Sequence, residues 1–86
     1  MFRRRKAVLA AQFVTRSGCT MCAEALPVVE RACGLAGVPL EVVDVDASAQ
    51  AAQWSDHVPV VLLDGVEHSR WWVDEKALQK ALGVRV

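Results

Sequence analysis

Two cysteines separated by two residues are the part of this 86-residue sequence best suited to chemistry. Cys19 and Cys22 follow Gly18 and precede a run with helical periodicity, so we expect them at the first turn of a helix. A helix N-terminus carries unpaired backbone N–H groups and a partial positive charge, which favour the thiolate form of a cysteine placed there. Because a thiolate is the attacking species in disulfide exchange, the pair predicts a reactive dithiol. Cys19 is the expected nucleophile and Cys22 the resolving thiol.

A metal site is an alternative interpretation of the same pair. A tetrahedral site needs four nitrogen or sulfur ligands, or three with an exogenous one. The remaining candidates are Cys33, His57 and His68. On a continuous helix, Cys33 lies roughly 16 Å beyond Cys22 at 1.5 Å per residue, too far to join the pair as a ligand or a disulfide partner. We therefore expect no metal ligand set in one chain and interpret Cys33 as a buried apolar residue.

Composition and charge restrict the remaining classes of protein. The chain is 53% hydrophobic and carries no formal net charge, which predicts a folded domain and no nucleic-acid partner. Three cysteines do not make the framework of a secreted disulfide-rich protein. No apolar run approaches the ~18 residues of a membrane span, so no membrane partner is expected. We predict a cytoplasmic protein with a basic tail at 1–8 and a single domain at 9–86.

The hydrophobic pattern predicts the element order β-α-β-α-β-β-α. Strands are expected over 9–15, 40–46, 58–63 and 66–72, and helices from Cys19 or Thr20 to Ala36, over 47–54 and over 75–82. Asp46 and Asp74 are the expected N-caps of the two later helices, and Gly37 the C-terminal cap of the first. Right-handed crossovers predict that the first three strands are parallel. The Asp64-Gly65 hairpin then adds an antiparallel edge, giving an α/β fold with a four-stranded mixed sheet flanked by three helices.

Three residues outside the dithiol have both a chemical and a structural interpretation. Arg16, three residues before Cys19, could add positive potential or hold a substrate carboxylate, or could simply face solvent. Pro27 removes a hydrogen bond inside the first helix, which either aims the thiols or bends the helix for packing. Pro59 opens the third strand, a position where proline is sterically permitted.

The segments TRSGCTMC and HVPVVLLDG, with the element order, resemble the thioredoxin superfamily and are most similar to glutaredoxins and small glutaredoxin-like proteins. The resemblance implies that Pro59 is cis and faces the dithiol, and that the backbone of Val58 pairs with a bound thiol peptide. It makes Arg16 the counterpart of a basic residue at the glutaredoxin site, and it places Pro27 where thioredoxins kink the corresponding helix.

The sequence departs from the glutaredoxin pattern at three places. Thr20 and Met21 stand between the cysteines, and Val14 replaces a tyrosine. Where glutaredoxins have glycines and acidic residues that seat glutathione, this chain has SRWW at 69–72, and such side chains are expected to prevent a close approach to the backbone. As neighbours on a strand, the two tryptophans would face opposite sides; one could line a groove for an apolar substrate segment, or both could cover sheet edges or a partner surface.

The resemblance implies a dithiol–disulfide oxidoreductase in cell redox homeostasis. Such a protein needs no cofactor; its partners are a disulfide-containing protein or a small thiol, and its electron donor is a low-molecular-weight thiol or a reductase. A monomer is expected. Two alternatives remain open: a redox-inert thioredoxin-fold binding module, and a dimer that holds a metal or iron–sulfur centre through Cys19.

Overall fold

The computed structural model describes residues 7–84. In chain order this part contains β1 (Ala11–Thr15), α1 (Thr20–Ala36), β2 (Leu40–Asp44), a 3₁₀ helix (Ala49–Trp54), β3 (Val60–Leu63), β4 (Val66–Arg70) and α2 (Glu75–Ala81). The α/β element order expected from the sequence is confirmed, and each element ends within two residues of the predicted position. Among these residues, no helix is long and apolar enough to span a membrane.

The four strands form one mixed sheet in the order β2-β1-β3-β4. β1 pairs with β2 in parallel, but it pairs with β3 antiparallel, and β3 and β4 form an antiparallel hairpin. The prediction that the first three strands are parallel is therefore wrong for β3. A parallel crossover must return the chain along the whole sheet, usually through an α-helix. The short 3₁₀ helix does not do this, so β3 begins at the end of the sheet where β2 stops.

Helix α1 begins at the dithiol and carries the main apolar surface of the domain. Its N-cap is Cys19, and its C-terminal cap is Gly37, whose left-handed backbone (φ 69°) lets the N–H of Val38 reach the carbonyl oxygen of Cys33 at 3.0 Å. The side chains that α1 buries recur at three- and four-residue steps: Cys22, Ala25, Val29, Ala32 and Cys33. This stripe packs against the sheet and fixes the direction in which the first turn of α1 points.

The two faces of the sheet are covered differently. On one face, α1 and α2 pack over Phe13 and Val61. On the other face, the 3₁₀ helix inserts Ala51 against Val14 and Val60. The short helix predicted over 47–54 is present as a 3₁₀ helix over Ala49–Trp54. The prediction that Asp46 caps it is wrong, because the helix follows Ser48, which makes no side-chain cap.

Two aspartates shape the second half of the chain. The Asp64-Gly65 turn has positive φ at both residues (51° and 81°), the geometry that joins two tightly paired strands. The Asp64 carboxylate also accepts hydrogen bonds from the N–H groups of Leu9 and Ala10, each at 3.0 Å to Oδ1. Asp74 caps α2 as predicted, accepting from the Ala77 N–H at 3.1 Å. The hairpin is thus tied to the start of the central strand.

Candidate active site

The sheet topology brings three connecting segments to one end of the molecule. β1 ends at Thr15 and leads to the dithiol, and Val14, one residue earlier, pairs with Val60 at the start of β3. Val60 in turn pairs with Arg70, the last residue of β4. The dithiol, the Val58-Pro59 segment and the residues after β4 therefore lie at the same end of the sheet.

The Sγ atoms of Cys19 and Cys22 form a disulfide, with the two Cα atoms 5.2 Å apart. Cys22 is 2% exposed, whereas Cys19 is only half-buried and faces a shallow open pocket. A substrate arriving from solvent therefore reaches the sulfur of Cys19 and not that of Cys22. The predicted role of Cys19 as the attacking group stays a prediction.

In the first turn of α1, a backbone N–H group points at the Cys19 sulfur. The backbone N–H of Cys22 lies 3.1 Å from Cys19 Sγ, so the sulfur occupies the acceptor position of a helix N-cap. No acidic side chain stands in this turn to oppose a negative charge. Thr20 and Met21, between the cysteines, are both exposed. A thiolate formed on Cys19 would receive a charge-assisted hydrogen bond from the helix.

Arg16 connects two of the converging segments. Its Nη1 donates to the carbonyl oxygen of Ser55 at 2.9 Å, and its Nη2 lies 4.0 Å from Oδ1 of Asp46. The side chain also lines the pocket at Cys19 and remains 40% exposed. Arg16 therefore holds the dithiol loop against the segment that follows the 3₁₀ helix. Its predicted contact with a substrate carboxylate stays a prediction.

The Val58–Pro59 peptide bond is cis, as the resemblance implied. Pro59 is buried, and its carbonyl oxygen accepts a hydrogen bond from the Trp71 N–H at 2.8 Å. Within residues 7–84, neither the N–H nor the carbonyl of Val58 pairs with another backbone group. The predicted pairing of the Val58 backbone with a bound peptide stays a prediction. Pro27 lies inside α1 with its side chain exposed.

The residues after β4 form a cluster that sequence reasoning missed. The prediction that the strand continues to Trp72 is wrong, because β4 ends at Arg70 and Trp71 adopts a left-handed backbone with φ 72°. Trp71 and Trp72 are 49% and 72% exposed, so neither is a core residue. The Arg70 guanidinium lies 5.9 Å from the centre of the Trp71 ring.

Arg70 also organises the polar groups behind Trp71. It donates two hydrogen bonds to the Glu67 carboxylate, and these lower the pKa of Glu67 from its ordinary value. Its Nη1 lies 3.5 Å from Nδ1 of His57, whose ring is tilted against Trp71 with the centroids 6.1 Å apart. The only signal in the sequence for this cluster was the unusual SRWW stretch itself.

His68 provides a pH-dependent contribution to stability. It is the extra residue of a β-bulge in β4, and burial lowers its pKa from the ordinary 6.5, opposed by a smaller effect of Asp74. As the pH falls below 6.5, the unfolded chain takes up a proton that the folded protein resists, so the free energy of unfolding decreases. We expect His68→Gln to lose less stability than the unsubstituted protein between pH 7.5 and 5.5, measured by urea unfolding. Equal losses in both proteins would contradict this assignment.

The third cysteine lies apart from the pair. Cys33 is 2% exposed in the core, and burial raises the pKa of its thiol. Within the part of the chain that the structure describes, no group of three His, Cys, Asp or Glu side chains could hold a metal ion.

Residues 11–83 match the family model described as Glutaredoxin-like domain (DUF836). An uncharacterized protein of Mycobacterium tuberculosis is 36% identical over 74 residues, covering 79% of this chain and 76% of that protein, and one from Mycobacterium bovis matches to the same extent.

Among solved structures, thioredoxin 1 from Thermosipho africanus superposes with a TM-score of 0.62 at 18% identity, over 87% of this chain and 96% of that one. The oxidised thioredoxin of Plasmodium falciparum gives 0.58 at 17% identity, over 90% and 80%. The thioredoxin fold expected from the sequence is therefore confirmed. This fold, with two cysteines close enough for a disulfide, supports a redox-type function.

Proposed function

Because the chain belongs to the glutaredoxin-like domain family (DUF836), we propose that it is a thiol–disulfide oxidoreductase whose reactive group is the Cys19/Cys22 dithiol. The observation that carries this proposal is the half-buried Cys19 sulfur at the N-cap of α1, bonded to the buried sulfur of Cys22 and 3.1 Å from the Cys22 N–H.

The reaction proceeds through two exchanges of one sulfur–sulfur bond each. In the reduced protein, the Cys19 thiolate attacks one sulfur of a substrate disulfide, and the other sulfur leaves as a thiolate that takes a proton from water. Cys19 and the substrate are then joined by a mixed disulfide. The thiol of Cys22 loses its proton and attacks Cys19 Sγ, which forms the intramolecular disulfide and releases the second substrate thiol. Two electrons pass from the dithiol to the substrate.

Three neighbouring groups support the attack in this proposal. The Cys22 N–H stabilises the thiolate of Cys19 before the first exchange. The unpaired backbone of Val58, held by the buried Pro59, pairs with the extended chain on either side of the substrate cysteine. Arg16 keeps the dithiol loop and the segment before Val58 together. Renewal of the dithiol requires a second reductant, either a low-molecular-weight thiol or a reductase.

The proposal is tested by counting thiols in the intact protein. We expect the reduced protein, mixed with bis(2-hydroxyethyl) disulfide, to lose two of its three thiols and two mass units, and to release two molecules of 2-mercaptoethanol. Maleimide labelling after denaturation measures the thiols, and the buried Cys33 serves as an internal control because it stays reduced. Three thiols remaining after prolonged incubation, or a stoichiometric metal in the purified protein, would contradict the proposal.

A further inference from the structure

A shallow groove of about 200 Å³ begins beside the dithiol. Its walls include Met21, Glu24 and Val28 of α1, and Trp71, Trp72 and Val73 after β4. Met21 stands between the two cysteines, so one end of the groove lies one residue from Cys22 and two from Cys19, and the groove follows α1 from there to Val28. We propose that this groove binds an extended apolar and basic segment of a disulfide-containing protein, next to the cysteine that Cys19 attacks. The inference rests on the proposed oxidoreductase activity.

The backbone of Trp71 is the first observation in support. A left-handed conformation costs a residue with a side chain about 1–2 kcal/mol relative to the right-handed one. Trp71 adopts it with φ 72° and still leaves 49% of its surface exposed. Its N–H on the Pro59 carbonyl oxygen holds it there. Such a conformation persists only where the surrounding structure holds it in place, and residues in such conformations cluster at ligand clamps.

The apolar surface around Trp71 is the second observation. Met21 is 46% exposed and Trp72 is 72% exposed, so three large apolar side chains border one groove. Tryptophan is enriched among the residues that dominate binding energy in protein interfaces. An apolar residue of a partner that packs on these side chains would bury apolar surface that is exposed to water in the isolated domain, and this burial would stabilise the complex.

The charge of the groove selects the partner. Glu24 is the charged residue in its wall, and its carboxylate takes part in none of the ion pairs among residues 7–84. The nearby Arg70 guanidinium is occupied by both oxygens of Glu67. A lysine or arginine of the partner would therefore meet an unneutralised carboxylate, whereas the carboxylates of glutathione would be repelled.

The length of the groove fixes how far the recognised side chain lies from the attacked cysteine. From Met21 to Val28, α1 advances by roughly 10 Å at 1.5 Å per residue. An extended peptide covers that length in about three residues at 3.3 Å each. A cavity of about 150 Å³ holds benzene, so the groove has room for one large apolar side chain. The occupant is thus a segment with such a side chain two or three residues from its cysteine and a basic residue beside it.

The test compares two substrates of the full-length protein. The first is a short peptide with a leucine two residues after its cysteine and a lysine beside the leucine. The cysteine of this peptide is joined to 2-mercaptoethanol in a mixed disulfide. The second is bis(2-hydroxyethyl) disulfide, which carries no segment for the groove. We expect Trp72→Ala to lower the ratio of the peptide rate to the small-disulfide rate about tenfold. Leu35→Ala, which removes an exposed apolar side chain elsewhere on α1, leaves the ratio unchanged.

Two further variants separate binding from folding. Trp71→Gly is expected to lower the same ratio with little change in the urea midpoint, because the strain that glycine relieves offsets the lost contacts of the indole ring with Arg70 and His57. Glu24→Gln is expected to reduce about threefold the preference for the lysine peptide over a matched glutamine peptide. A purely structural role of Trp71 would lower the urea midpoint and leave the ratio unchanged.

The outcomes distinguish this inference from the proposed function. If the protein reduces the small disulfide but shows no peptide preference, or if no variant changes the ratio, the groove inference is overturned alone. If the protein reduces neither substrate, the proposed oxidoreductase function is wrong. The groove inference is then tested by titrating the tryptophan fluorescence with a peptide in which serine replaces the cysteine. No saturable change would overturn it. A dimer in sedimentation that Trp72→Ala dissociates would make a second copy the occupant, which also overturns it.

Discussion

Replacement of Cys19 by serine is expected to lower the rate of disulfide reduction about 10³-fold or more, to the background without protein. A serine hydroxyl stays protonated at neutral pH and does not displace a thiolate from a disulfide. Cys22 cannot take over, because its side chain is 2% exposed beneath the first turn of α1. The measurement is the rate at which the reduced variant produces 2-mercaptoethanol from bis(2-hydroxyethyl) disulfide.

Two other cysteine variants serve as matched controls for Cys19→Ser. Cys22→Ala keeps the attacking thiol, so we expect it to accumulate a mixed disulfide that mass spectrometry detects as one added 2-mercaptoethanol. Cys33→Ala removes a buried thiol outside the pair and is expected to keep the rate of the unsubstituted protein. Turnover by Cys19→Ser, or equal loss of rate in Cys33→Ala, would show that the attacking group lies elsewhere.

Replacement of Phe13 by alanine is expected to cost about 3–5 kcal/mol of unfolding free energy. Phe13 lies at the centre of β1, has no exposed surface, and packs beneath α1 in the same apolar cluster as Cys22. At roughly 0.05–0.15 kcal/mol per residue, a domain of this length has a total stability on the order of 4–13 kcal/mol. The substitution therefore removes a large part of the total, and urea unfolding of the oxidised protein measures it.

A neighbouring strand position provides the control for Phe13→Ala. Val42 of β2 pairs with Phe13 across the parallel ladder but is 48% exposed. We expect Val42→Ala to cost about 1 kcal/mol or less, since it gives up strand preference and little buried surface. If the two variants lost the same free energy, the core would not be centred on Phe13.

The parts of the fold that the sequence predicted correctly depend on short-range chemistry. A cysteine before a helical stripe, Gly37 after it, Asp64-Gly65 between two apolar runs and Asp74 before the last helix each act within a few residues. The backbone preference that they express is the same in any fold. The dithiol was found for the same reason, because its geometry is that of one helical turn.

The parts that were missed depend on contacts between distant residues. The direction of β3 depends on the end of the sheet at which the short 3₁₀ helix places the chain, and no local sequence pattern encodes that position. The left-handed backbone of Trp71 is a conformation that tryptophan rarely adopts. It is held by a hydrogen bond to the Pro59 carbonyl oxygen at the end of the sheet. The contact of Arg70 with His57 likewise joins segments that only the folded sheet brings together.

The hydrogen bonds from Leu9 and Ala10 to Asp64 have a consequence for the order of folding. They join residues 55 positions apart in the chain, whereas α1 and the β3-β4 hairpin each form from contacts between residues that are close in sequence. Loop closure over such a length loses more chain entropy than a helix or hairpin does, so we expect β1 to pair with β3 after α1 and the hairpin have formed. The amide hydrogens of β1 that bond to β3 are expected to exchange with solvent when β1 separates from the hairpin.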